Sequence, residues 1–148
     1  MDNFKGAIKF FKDVEEIQNY LNENKDYSNL ANLTFIGQEY TEPLEIEKVD
    51  LIISQYAGFV GQATKQYLKV GGILLCNDSH GDATLAKMDK DFQFIGVVTN
   101  DKTIQTMNVE NYFKLPKDRP IDLTSVKEKM KGLNYKLKSE NYLFQKIK

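Results

Sequence analysis

Two apolar runs near the middle of the chain, residues 49–54 (VDLIIS) and 73–77 (ILLCN), are continuous rather than alternating. That is the pattern of strands buried on both faces of a parallel sheet. Between them, residues 58–68 place Phe59, Ala63, Gln66 and Tyr67 in the body of a predicted helix. Val70-Gly71-Gly72 then reads as a turn whose glycines supply positive φ. Upstream, the short apolar run at 7–11 predicts a strand over about 6–11. Val14, Ile17, Tyr20 and Leu21 fall at helical spacing and predict a helix over about 13–24, and Asp13 with Glu16 resembles a capping box. Residues 33–37 (LTFIG) predict a further strand stopped by glycine, followed by a loop over 41–48 that contains Pro43. Downstream, residues 82–88 predict a short helix or turn, 92–98 a strand, 109–113 a turn of helix and 123–130 a helix with Ser or Thr candidates for its cap. Gly132 ends that helix, and 142–147 closes as a strand.

Strands alternate with helices over the first two thirds, which argues for a parallel sheet with right-handed crossovers. The last two strands, at 92–98 and 142–147, are expected to finish the sheet as an antiparallel pair. The fold class is therefore α/β: a Rossmann-like three-layer sandwich around a mostly parallel sheet. A chain of 148 residues suits one domain, 1–148, and no repeat, low-complexity tract or linker divides it. A domain of that size buries roughly 68–70% of its unfolded surface and needs no staples.

Composition changes this picture in three places. The single cysteine, Cys76, excludes an internal disulfide. It lies within an apolar run, so it reads as a buried thiol, and a reducing cytoplasm is the simplest setting. The N-terminal MDNFKG has no signal-peptide hydrophobic region, and no apolar run approaches the roughly 20 residues of a membrane helix, so no membrane partner is expected. The charge is uneven. Residues 114–148 hold ten Lys+Arg against four Asp+Glu, whereas the rest holds ten against seventeen. Such a basic segment can contact phosphate or an acidic partner. Nine of its ten cations are lysines, and Arg119 is the only arginine, which suits a solvated face better than forked phosphate recognition. Nucleic acid is thus the lesser reading of this segment.

Three pieces carry a likeness to a known family. LTFIGQEY (33–40), VDLIISQY (49–56) and YLKVGGILL (67–75) resemble the third strand, fourth strand and helix–glycine turn–fifth strand of class I S-adenosylmethionine-dependent methyltransferases. Residues 7–21 align with the family's second strand and helix, and 142–147 with its last strand. The resemblance covers 7–98 and is strongest at the glycine turn. It implies the family's second half, with S-adenosylmethionine as cofactor and Asp13, Gln38 and Glu39 on the cofactor side. The departures are specific. No G-x-G loop occurs, although the family's first strand ends in one, and none fits before Ala7. Lys12 stands where the ribose-binding acidic residue belongs, with Asp13 one place late.

The substrate side is richer. If the two central strands are neighbours, Ser54, Gln55 and Tyr56 lie beside Asn77, Asp78, Ser79 and His80, at the carboxyl ends where open α/β sheets bind ligands. His80, the only histidine, suits a general base, or else a loop histidine bonded to backbone. Asp78 could bind an amine, orient His80 or cap the following helix. Tyr56 could position a methyl acceptor or merely cap the sheet. Ser54, Gln55, Asn77 and Ser79 complete a substrate-binding set. A Ser–His–Asp hydrolase is disfavoured by the missing G-x-S-x-G elbow, and zinc by the lone His and Cys. Two functions follow: a methyltransferase-like enzyme using His80, Asp78 and Tyr56, or a non-catalytic binding or assembly module on that fold. The absent flanking unit exposes a sheet edge, so a homo-oligomer is expected.

Overall fold

The computed structural model describes all 148 residues. The two central runs form the expected parallel neighbours: β1 (Val49–Ser54) pairs with β2 (Leu68–Cys76), Ile53 opposite Leu75 and Ser54 opposite Cys76. The sequence reads as one domain, whereas the residues cluster into two compact units, Met1–Leu44 and Glu45–Lys148.

The first unit contains two helices, α1 (Lys5–Phe10) and α2 (Val14–Asn24). The predicted strand over 6–11 is thus a helix. Phe4, Ala7, Ile8 and Phe11 recur at helical spacing, and the Phe11 ring stacks on Phe35 with centroids 4.4 Å apart. Asp13 caps α2 as expected, accepting a hydrogen bond from Glu16 N at 3.1 Å. The strand predicted over 33–37 does not form. Its β-branched and aromatic residues find no partner strand, and a strand is stable only when paired. Side chains of α2 tie this segment down instead: Gln18 Oε1 accepts from Leu33 N and Asn22 Oδ1 from Ala31 N.

The second unit is built on one five-stranded sheet in the order β1-β2-β5-β3-β4, where β3 is Phe92–Val98, β4 Ile104–Gln105 and β5 Asn141–Lys146. The expectation of a mostly parallel sheet is corrected. Only β1–β2 is a parallel pair; β2–β5, β5–β3 and β3–β4 are antiparallel. The cause is the insertion of β5 between β2 and β3. Those two strands run in the same direction but never meet. The expected antiparallel pairing of the two late strands is present, as β3–β5.

The helical elements of this unit are short. They are α3 (Val60–Thr64), continued as a 3-10 turn at Lys65–Tyr67, α4 (Asp82–Met88) and α5 (Leu123–Lys129), with a further 3-10 turn at Val109–Phe113. Asp122, not a Ser or Thr, caps α5 by accepting from Ser125 N at 3.0 Å. Leu68, Leu74, Cys76, Ala83, Ala86, Phe92, Val97, Tyr142 and Phe144 form the core. Leu74, Phe144 and Phe94 stand in one cross-strand row, and Phe113 packs edge-on to Phe94 at 4.9 Å. Such ring pairs contribute about 0.5–1.5 kcal/mol beyond the area they bury.

Gly71 and Gly72 do not end a turn before β2 but lie inside it. The register slips between Val49 and Leu51, so that Leu51 faces Ile73, and Gly71 takes φ +87° in the resulting bulge. Glycine within a strand commonly marks such a site. Across the bulge the alternation of β2 is kept, and Leu68, Leu74 and Cys76 all turn into the core.

Candidate functional site

The exits of β1 and β2 lie side by side because the strands are parallel and in register to their ends. Asn77 N donates to Ser54 O at 3.2 Å. Just beyond, Asn77 Nδ2 donates to Gln55 Oε1 at 3.0 Å, and Gln55 Nε2 donates to Asn141 Oδ1 of β5 at 3.1 Å. Asn77 Oδ1 accepts from both N and Oγ of Ser79, and Ser79 Oγ lies 3.0 Å from His80 Nδ1. The structure therefore brings Ser54, Gln55, Asn77, Ser79 and His80 into one hydrogen-bonded chain.

Two carboxylates sit beneath this chain. Asp82 is 2% exposed, and its Oδ2 accepts from Ser54 Oγ at 2.6 Å and from Gly61 N at 2.8 Å, which fixes α3 against the end of β1. A Cβ on Gly61 would lie 2.7 Å from that same oxygen, so glycine is what permits the approach. Asp78 Oδ1 accepts from Thr84 N at 2.7 Å, while its Oδ2 accepts from Thr84 Oγ1 at 2.8 Å and Leu133 N at 3.2 Å. Thr84 Oγ1 in turn lies 3.0 Å from the Tyr135 hydroxyl. Burial raises the pKa of both carboxyls above the ordinary aspartate range, against the pull of these donors. Burial likewise pushes Tyr135 up to about 12 and raises the Cys76 thiol.

Above the strand ends opens a cleft of about 510 Å³. Tyr56, Asn77, Asp78 and Ser79 form one wall, and residues 131–134 with Lys138, Ser139 and Glu140 the other. Tyr56 is 64% exposed and adopts φ +54°. A bulky non-glycine residue in that region is strained, and such strain is concentrated at functional sites. His80 does not contribute to the cleft wall.

The residues assigned to a cofactor do not assemble at strand ends. Asp13 caps α2, Gln38 Nε2 donates to Pro43 O at 3.1 Å, and the Glu39 carboxylate accepts from the Asn3 side chain. All three belong to the first unit, which contains no strand. They do not fit the ribose- and adenine-holding roles the resemblance implies, because both strands that would present them are absent.

Lys131, Gly132, Leu133 and Lys138 are site residues that pattern reading missed. They approach the strand ends only through tertiary packing, and the one local signal was the glycine after α5. Gly132 N donates to Ser79 O, and a Cβ at position 132 would collide with Asp78.

No family model matches the chain, and neither a curated protein nor a solved structure matches it.

Proposed function

We propose that the chain is a non-catalytic binding module built on a methyltransferase-like half-sheet, and that the cleft takes a small, flat, negatively charged ligand such as a nucleotide. The observation that carries this reading is the state of Asp78. Both of its oxygens are engaged by Thr84 and Leu133, so the strand-end carboxylate acts as a clamp. A general base must reach the proton it removes. His80 stands outside the cleft wall with Nδ1 on Ser79, and Asp82 is closed against Ser54 and Gly61. The groups that do face the cleft are suited to binding. Tyr56 offers a ring, and Lys131 and Lys138 offer ammonium groups that form no ion pair.

Calorimetric titration with adenosine monophosphate, S-adenosylmethionine and S-adenosylhomocysteine tests this. The expected result is binding of the monophosphate at a dissociation constant of about 1 mM or tighter, weakened in Tyr56→Ala and Lys138→Ala. No heat from any of the three would overturn the binding reading. Transfer of a labelled methyl group from S-adenosylmethionine to components of a cell extract would overturn the non-catalytic one.

One observation favours assembly as a second role. β1 is an end strand of the sheet, and Leu51 and Ile53, on one face of it, are 50% and 61% exposed. Unpaired edges of this kind recruit further strands or a covering partner. Sedimentation should show a homo-oligomer that Ile53→Lys dissociates; a monomer at all concentrations would remove this role.

A further inference from the structure

The cleft at the strand ends does not stand alone. It shares Lys131, Gly132 and Leu133 with a second cleft of about 260 Å³ beside α5. That cleft shares Leu115, Arg119 and Ile121 with a third of about 450 Å³. The three adjoin one another through these shared walls and make a track of successive hollows along the basic segment of the chain.

The charge along this track is one-sided. Lys131 and Lys138 line the first cleft, Arg119 and Lys129 the second, and Lys114, Lys117 and Lys136 the third. All seven are exposed, and the ion pairs of the protein involve only Lys65 and Lys69. Of the four carboxylates on the track, Asp78 is clamped by Thr84 and Leu133, and Asp122 is occupied as the cap of α5. Hydrogen bonding does not remove their charge, so with Glu140 and Asp118 four carboxylates face seven cations, and the track keeps an excess of positive charge. A solvated lysine face would scatter such charges over convex surface. Here they border successive hollows, which fits an extended polyanion.

Tyr56 narrows the partner. Its exposed ring stands at one end of the track on strained backbone. An acidic polypeptide has no particular use for a ring there, whereas an unpaired nucleobase stacks on it. Cationic grooves with aromatic platforms are the means by which proteins hold single strands without sequence preference. Lysine serves the phosphates as a point charge. We propose that the track from Tyr56 to Lys117 holds single-stranded nucleic acid, with a base on Tyr56 and the sugar–phosphate chain running past Lys131 and Arg119 toward Lys114. This inference rests on the reading of the first cleft as a site for a flat anion.

Fluorescence anisotropy with a labelled ten-nucleotide oligo-uridylate, run beside the monophosphate titration, tests it. If about four phosphates are neutralised, a fourfold rise in salt weakens binding roughly 50-fold. Tyr56→Ala should weaken oligonucleotide binding about tenfold. The double variant Lys114→Ala/Lys117→Ala should flatten the salt dependence by about 1.4 in logarithmic slope and leave monophosphate binding unchanged, because neither lysine lines the first cleft. Oligonucleotide that fails to bind while the monophosphate still binds would overturn the track and spare the cleft. Loss of both would overturn both. Equal binding of a duplex or of poly-glutamate would also overturn the proposal, since general charge attraction would then suffice.

Discussion

Gly132 passes so close to Asp78 that a Cβ at position 132 would lie 1.8 Å from the Asp78 carbonyl oxygen and 2.5 Å from its carboxylate. This contact joins the strand-end loop to the segment that follows α5, and so sets the width of the cleft. Gly132→Ala must move backbone, not a flexible side-chain end, and should cost about 2–3 kcal/mol. Gly71→Ala is the contrast. Nothing lies within 4 Å of its would-be Cβ, and only φ +87° opposes it, so it should cost about 1–2 kcal/mol. Urea unfolding midpoints compare the two; equal losses would mean that the close approach carries no weight.

Ser54 and Asp82 should be energetically coupled. Their hydrogen bond is 2.6 Å long and both residues are 2% exposed. Ser54→Ala should destabilise by about 1.5–3 kcal/mol, because the acceptor is a buried carboxyl. A double-mutant cycle with Asp82→Asn should return a coupling of about 1–2 kcal/mol. Additive losses would show that Asp82 holds α3 through Gly61 alone.

Asp78 makes stability depend on pH with a definite sign. Burial raises its pKa, so the native protein keeps this proton where the unfolded chain, titrating at about 3.9, has lost it. Its contribution is fully present below about pH 4 and is lost as pH rises through the folded pKa. The stability of the native protein minus that of Asp78→Asn should therefore fall as pH rises above about 4. A difference that rises over this range would mean that the Thr84 and Leu133 donors outweigh burial.

Tyr56→Gly should make the protein more stable and less able to bind. Glycine adopts φ +54° without strain, and the exposed ring gives up little buried area. The net gain expected is about 0.5–1 kcal/mol, after the extra chain entropy of glycine is offset against the left-handed penalty. A thermal melt and the monophosphate titration read the two effects. A loss of stability would show that the ring packs against something the fold needs.

Much of the second unit was legible because its elements are runs of the right length. The pattern predicts elements at 49–54, 82–88 and 92–98, and these are the observed bounds of β1, α4 and β3. The adjacency of Ser54, Gln55, Asn77 and Ser79 followed from parallel pairing alone. What failed did so for physical reasons. Residues 6–11 are short and apolar enough for either element, and the Phe11–Phe35 stack belongs to the helical form. Residues 33–37 have strand propensity but no neighbour to pair with, and propensity without pairing does not make a strand. The turn at Gly71-Gly72 was a bulge, since positive φ serves both. Lys131, Gly132 and Lys138 could not be placed from pattern, because their approach to Asp78 depends on a loop with no periodicity. The cations of 114–148 were visible as composition, but their alignment along hollows was not.

The place of β5 between β2 and β3 has a consequence for how the chain acquires its shape during synthesis. Gln145 reaches back to Gly71, 74 residues earlier. Until β5 emerges, β2 and β3 present facing edges with nothing to join them. A nascent chain that stops before Asn141 lacks the strand that pairs the inner edges of β2 and β3. Closure over so long a separation carries a loop-entropy cost before any contact rewards it, and such topologies fold slowly. The interval in which those edges wait is when the protein is most exposed to aggregation, so removal of residues 141–146 should produce inclusion bodies rather than a smaller soluble sheet.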